Sequence, residues 1–265
     1  MTEQYEQQEG NEGLWSTIFS DGHPALLKQH WLHKKLPTKP RCRMCLVPFK
    51  GIGGWIMRKK GKAPNSRNPN FCNACDKFME AYPGGAEVEM SMLYVDIRQS
   101  TQFAEQNKPE NVSERINVFL NEATRIITEH DGFVMAFYGD CIVAAWPPGF
   151  CGEQHALKAQ QAAIELATNK KMIDKSGETI PVGVGVHTGK VFIGTVSALQ
   201  GSFRDVSIFG SNVNLTARMA SQAAASQALA SAENISAAGK EPATFKSQTV
   251  ELKGFTEPVT IYAIA

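Results

Sequence analysis

The sequence predicts a mixed α/β domain preceded by a small four-cysteine unit. Three observations support this. Strand-length apolar runs alternate with helical stretches from residue 87 onward, two C-x-x-C pairs come before them, and charge is spread unevenly along the chain. Hydrophobic residues make up 43% of the 265 and charged residues 20%, enough for a sizeable core. No run nears eighteen apolar residues and no apolar stretch follows a basic N-terminus, which argues against a membrane span and a secretory signal. A cytoplasmic protein is expected.

The elements follow in order. Residues 1–13 are rich in Gln and Glu without periodicity and read as disordered. A short helix after Pro24, with Leu26, Leu27, Trp31 and Leu32 near one face, completes a first segment, 1–35. Pro37 and Pro40 break the chain. Residues 36–82 form the cysteine unit, with GIGG (51–54) and NSRNPN (65–70) as turn-rich filler and Tyr82–Ala86 as a hinge. The domain over 87–265 opens with a strand, Glu87–Ile97. A helix over 110–130 carries the stripe Val112, Ile116, Phe119, Ala123 and Ile126. Phe133–Tyr138 and Cys141–Trp146 make a hairpin about Gly139-Asp140. A helix over 153–171 comes next, then a second hairpin, Ile180–His187 with Lys190–Val196, about Thr188-Gly189. A helix over 212–222 and strands over 249–252 and 259–262 complete the reading.

Charge sets the N-terminal part apart. Residues 1–21 hold five acids and no Lys or Arg, whereas 28–67 hold twelve Lys or Arg and no acid. With Trp31, Phe49 and Trp55 interspersed, this basic segment suits an anionic partner (nucleic acid, anionic lipid or acidic protein), or else is a solvated basic face. Cys42, Cys45, Cys72 and Cys75 follow the pattern C-x2-C-x26-C-x2-C. Four thiolates on two knuckles suit a closed, structural Zn²⁺ site. An iron–sulfur cluster uses the same ligand set, and four free buried thiols are the third reading. Cys141 and Cys151, each in apolar surroundings, read as small buried hydrophobes.

Two aspartates are candidates for chemistry. Asp96 ends an apolar strand and Asp140 sits in a hairpin turn, where a sheet can hold both toward shared cations. Metal-assisted phosphoryl transfer uses such pairs; a simple turn role for Asp140 beside Gly139 is the alternative.

The segments MLYVDIRQST (92–101), FYGDCIVAAW (137–146), VGVGVHTGKVFIG (182–194), SIFGSNVNLTARM (207–219) and ELKGFTEPVTIYAI (251–264) occur in that order. Together they resemble the class III adenylyl/guanylyl cyclase catalytic domain over about residues 87–265. The resemblance implies a ferredoxin-like α/β (α+β) fold, with a mainly antiparallel sheet and covering helices. It implies a nucleotidyl cyclase that converts a nucleoside triphosphate into its 3′,5′-cyclic monophosphate and pyrophosphate. By it, Asp96, Asp140 and the Ile97 carbonyl hold two Mg²⁺ or Mn²⁺ ions. Backbone amides of Arg98, Gln99, Ser100 and Thr101 cradle phosphates, Asn214 orients the ribose, and Arg218 stabilises charge at the α-phosphate. Lys253 holds the terminal phosphates, and Arg204 is a further phosphate candidate. The family builds its site between two catalytic domains, which implies a homodimer with two equivalent sites.

Some positions depart from that pattern. The two that select the purine are Ala136 and Ser207 here, with Phe137 adjacent. Ala136 cannot hydrogen-bond a base, whereas Ser207 can donate and accept. ATP is the expected substrate by a slight preference, with UTP or CTP, as in the family's antiviral pyrimidine cyclases, as the alternative. Gln99 stands where glycine is frequent. A reading from another class makes the chain a zinc-ribbon binding module with a silent, cyclase-like dimerisation domain.

Overall fold

The computed structural model describes residues 10–36, 39–198 and 203–265. The chain divides into two compact units, Met1–Val88 with Phe192–Phe209, and Glu89–Val191 with Gly210–Ala265.

The first unit begins with helix α1 (Glu12–Ser16), which continues as a π-helical turn over Thr17–Asp21. Residues 12 and 13 are therefore helical; the rest of the segment read as disordered is 10–11 and residues outside the described ones. The anchor of α1 is Trp15, fully buried, stacked on Phe19 at 5.5 Å and packed near Phe78. Helix α2 (Pro24–Lys34) starts at proline, whose missing N–H costs nothing in a first turn. Its buried residues are His30 and His33, while Leu27, Trp31 and Leu32 are exposed, so the face expected to pack is turned to solvent.

Two readings of turn residues need correction. GIGG is not filler: it opens helix α3 (Gly51–Lys59). Gly54 belongs there because a Cβ would lie 2.6 Å from the Phe49 carbonyl carbon. Nor are residues 82–84 loose. The Tyr82 carbonyl accepts from Trp15 Nε1, the Pro83 carbonyl from Asn11 and the Gly84 carbonyl from the Thr195 amide. Helix α4 (Asn73–Ala81) precedes this pinned stretch.

Strand β1 (Gly85–Ile97) leads into the second unit. There follow α5 (Ser100–Gln106), the long α6 (Pro109–Glu129), β2 (Phe133–Tyr138), β3 (Cys141–Trp146), a short α7 (Pro148–Cys151) and α8 (His155–Thr168). Strand β4 (Val182–Ala198) runs unbroken through Thr188-Gly189, where a hairpin turn was expected. A Cβ on Gly189 would lie 2.7 Å from Asn212 Nδ2 and 2.8 Å from His187 Nε2, two side-chain ends that would have to shift. The partner of β4 is instead β5 (Phe203–Phe209), antiparallel from Phe192↔Phe209 to Ala198↔Phe203. Helix α9 (Ser211–Gln222), β6 (Gln227–Ser231), α10 (Ala232–Ala237), β7 (Lys246–Val250) and β8 (Val259–Ala263) complete the chain.

The strands order as β2-β3-β1-β4-β6-β8-β7, with β5 on β4 outside this path. The β4–β6 pairing is parallel, whereas β2–β3, β1–β3, β6–β8 and β7–β8 are antiparallel. The main core of this unit joins Leu93, Val95, Ile142 and Trp146 of the sheet to Phe119 and Ile126 of α6 and the alanine face of α8. Small residues let α8 lie close to the strands, and Ala159, Ala162 and Ala163 are fully buried. A smaller cluster, Met219, Leu229, Leu252 and Ile261, seats α9 on the far strands. Gly185 permits that seat, since a Cβ there would meet the Ala220 amide nitrogen at 2.4 Å.

Candidate functional site

In the second unit, β1 and β3 pair so that Asp96 lies opposite Cys141, with Asp140 next to it in the β2–β3 turn. The Ile97 amide donates to the Asp140 carbonyl at 3.2 Å, fastening the turn to the strand end. Gly139 makes the turn possible with φ 63°. Burial raises the Asp96 carboxyl to about 6, Arg98 opposes that rise, and the like charge of Asp140 adds to it. Burial and both aspartates push the Cys141 thiol up to about 12. A half-buried pair of like-charged carboxylates suits a cation between them. Asp96 Oδ1 is buried without a hydrogen bond, although Arg98 stands 2.5 Å away as an ion pair. The donor set of Asp96, Asp140 and the Ile97 carbonyl therefore fits hard divalent ions such as Mg²⁺ or Mn²⁺.

The Arg98 side chain is a participant that sequence reasoning missed. It forms an ion pair with Asp96 and donates to the Ala220 carbonyl, and it occupies the space a Gly183 side chain would take, 2.1 Å from that Cβ position. Only glycine 183 signals this in the sequence. The Arg98 amide donates to the Pro181 carbonyl at 2.8 Å, so it is not available to a phosphate. Gln99 adopts the left-handed conformation, φ 58°, which explains why glycine suits this position. Ser100 and Thr101 open α5, where first-turn amides lack helical partners.

Asn214 and Arg218 are both exposed, one turn apart on α9. Lys253 is exposed in the turn between β7 and β8. Among the described residues no hydrogen bond or ion pair joins these three to Asp96 or Asp140. Ala136 is half-buried just past a bulge in β2, and Phe137 is exposed. Ser207, in the first unit, is half-buried on β5 opposite Gly194.

Arg204 is not a phosphate ligand: it is buried in the first unit. It pairs with Glu80 at 2.7 Å and Asp76 at 3.6 Å on α4, and its carbonyl accepts from Asn68 Nδ2.

The four cysteines 42, 45, 72 and 75 are all buried, with ligand atoms within 4.8 Å of one another, and none is in a disulfide. The Cys45 and Cys72 sulfurs are 3.7 Å apart. A disulfide needs about 2.05 Å, whereas the edge of a ZnS₄ tetrahedron with bonds of about 2.3 Å is about 3.8 Å. The Cys72 amide donates to Cys42 Sγ at 3.3 Å. Cys45 and Cys72 are driven down, chiefly by hydrogen bonds with Cys42, while burial pushes Cys42 up and bonding to Cys42 raises Cys75. Behind the first knuckle, His30 donates to the Met44 carbonyl at 2.6 Å and His33 to the Cys45 carbonyl at 2.7 Å. These contacts make the donor set fit a tetrahedral, thiophilic metal. Cys151, as expected, is a buried small residue, its Sγ donating to the Asp131 carbonyl.

The profile of the adenylate and guanylate cyclase catalytic domain matches residues 85–265, and the chain belongs to that family. An adenylate cyclase from Anabaena cylindrica is 32% identical over 136 residues, 49% of this chain and 26% of that protein. A terminal-differentiation-specific adenylate cyclase from Dictyostelium discoideum is 31% identical over 132 residues, 49% of this chain and 6% of that protein. The chain thus spans about a quarter of the first relative and far less of the second. Among solved structures, the guanylyl cyclase Cya2 aligns with TM-score 0.62 and 26% identity over 68% of this chain and 92% of that one. The adenylyl cyclase CyaB from P. aeruginosa aligns with TM-score 0.60 and 26% identity over 68% and 95%. Among the described residues, no helix is long and apolar enough to cross a membrane.

Proposed function

We propose that this chain is a nucleotidyl cyclase, with residues 87–265 as catalytic domain and 36–82 as a zinc-bound unit. The observation that carries the reading is the repelling carboxylate pair Asp96 and Asp140 at adjoining strand ends, inside a family-matched domain. In the reaction, the ribose 3′-oxygen bonds to the α-phosphorus while the bond to the bridging oxygen of the β-phosphate breaks. The 3′-hydroxyl proton is lost and pyrophosphate leaves with that electron pair. Two Mg²⁺ or Mn²⁺ ions held by Asp96, Asp140 and the Ile97 carbonyl would supply charge neutralisation and a more acidic 3′-hydroxyl.

The chain's own side chains do the rest. Asn214 orients the ribose, Arg218 meets charge developing at the α-phosphate, and Lys253 holds the terminal phosphates. Amides of Gln99, Ser100 and Thr101 approach phosphate oxygens. Because, among the described residues, no hydrogen bond or ion pair joins Asn214, Arg218 or Lys253 to the aspartates, a homodimer that supplies each site from both protomers fits the reading. Ser207 is the side chain we assign to recognition of the base, Ala136 and Phe137 are the other two base-pocket positions, and ATP is the substrate we favour. Zn²⁺ on the four cysteines staples its unit without an open ligand position. Reduced thiols suit the cytoplasm.

The test is direct. Purified chain is incubated with Mn²⁺ and ATP, GTP, CTP or UTP in turn, and products are identified by mass spectrometry beside an Asp140→Ala control. One cyclic product, absent from the control, is expected. No product from any of the four, from a demonstrated dimer, would overturn the reading and favour the silent-dimeriser alternative.

A further inference from the structure

The first unit shows its apolar side chains to solvent in an unusual way. On α3, Ile52 is 80% exposed, Trp55 59% and Ile56 42%. Their spacing, with Lys59, places them on one face. On α2, Leu27, Trp31 and Leu32 are likewise exposed. The two helices are neighbours: Lys62, just past α3, bonds Gln29 of α2 at 2.7 Å, and a Gly53 Cβ would touch Leu36, just past α2.

Cations accompany this apolar surface. Lys35 lies over the Trp31 ring at 3.3 Å and Lys59 over the Trp55 ring at 3.9 Å. Lys28, Lys50 and Lys60 are exposed as well. Among the described residues none of these five lysines has a carboxylate partner, and no acid occurs anywhere from residue 28 to 67.

We propose that this face docks on an anionic lipid surface, with α2 and α3 lying in the headgroup layer. The proposal does not depend on the cyclase reading. The charge needs an anionic partner, and the aliphatic side chains decide which one. A nucleic acid would use the lysines and could stack on Trp31 and Trp55, yet it offers nothing to Ile52, Ile56, Leu27 and Leu32. A second copy of the same face would set lysines against lysines. A headgroup layer takes aliphatics into its acyl boundary, indole rings at the interface and lysines among anionic headgroups. Helices of 11 and 9 residues are too short to span, so they lie on the surface.

The four tryptophans make the test clean, because Trp15 and Trp146 are wholly buried while Trp31 and Trp55 are 60% and 59% exposed. The full chain is titrated with vesicles of phosphatidylcholine alone or with phosphatidylserine, and read by sedimentation and by acrylamide quenching of tryptophan emission. The expected result is binding at least tenfold tighter to the serine-lipid vesicles, falling steeply with salt, with loss of quenching for the exposed pair. Ile52→Ser with Trp55→Ser should weaken vesicle binding about tenfold or more. Because both residues are solvent-exposed, the double variant should keep the melting temperature of the parent chain. An Ile52→Leu variant should bind as the parent does. A heparin column and a labelled duplex DNA run in parallel. No preference for the serine-lipid vesicles, or no effect of the double substitution, would overturn the proposal. So would DNA binding tighter than vesicle binding.

Discussion

Asp96 couples burial to chemistry. Its carboxyl titrates near 6 because burial and Asp140 outweigh the help of Arg98. Below that pH the carboxyl holds a proton that a cation must displace; above it, it is charged and open to one. Apparent Mn²⁺ affinity should therefore be level above about pH 7 and fall up to about tenfold per unit below 6. Calorimetric titration with Mn²⁺ across pH 5 to 8 checks this, and an affinity that rises on acidification would contradict it. A second residue-scale effect is steric. Gly185→Ala drives a methyl group into the Ala220 amide. It should cost about 2 kcal/mol, read as a lower urea midpoint, and should loosen the helix that carries Asn214 and Arg218.

At the scale of elements, the cysteine centre organises its neighbours. Zinc should be present at one per chain by elemental analysis, and Cys72→Ser should abolish it; a visible absorption band would indicate an iron–sulfur cluster instead. Arg204→Ala removes the partner of exposed Glu80 and leaves buried Asp76 with its bond from Asn65, and should destabilise this unit by about 1–2 kcal/mol. Faster zinc release to a chelator would show it. Most elements were legible because strong patterns carried them: the β2–β3 hairpin has its strands and turn where the sequence puts them. Others were not, for local reasons. Arg204 interrupts the alternation of Val206 and Ile208, hiding β5, although all three are buried. β6 reads QALAS, a helix-like composition forced into a strand by parallel pairing with β4. GIGG misled because only Gly51 takes a turn-like φ, 67°, while Gly54 packs against the Phe49 backbone inside a helix. For the proposed site, the aspartates, Asn214, Arg218 and Lys253 follow from motif order. The side-chain role of Arg98 was not, since its partners Gly183 and Ala220 are far away in sequence.

At the scale of the whole molecule, the proposed homodimer, with each site built from both protomers, predicts a complementation experiment. Asp140→Ala and Arg218→Ala chains should each be inactive. In an equal mixture half of the dimers are mixed, and each mixed dimer has one intact site. About a quarter of parental activity should therefore return. A mixture as dead as its components would mean that each protomer builds its site alone.

The pairing of Arg204 with Asp76 and Glu80 also bears on how the chain is made. The first unit is assembled from two stretches separated by residues 89–191. On a ribosome the cysteines emerge early, and the arginine that completes their neighbourhood arrives roughly 130 residues later, on the order of ten seconds at typical elongation rates. For that interval the nascent unit holds its thiols without its final β-hairpin. Limiting zinc should therefore reduce the yield of folded chain more than the same shortage imposed after synthesis.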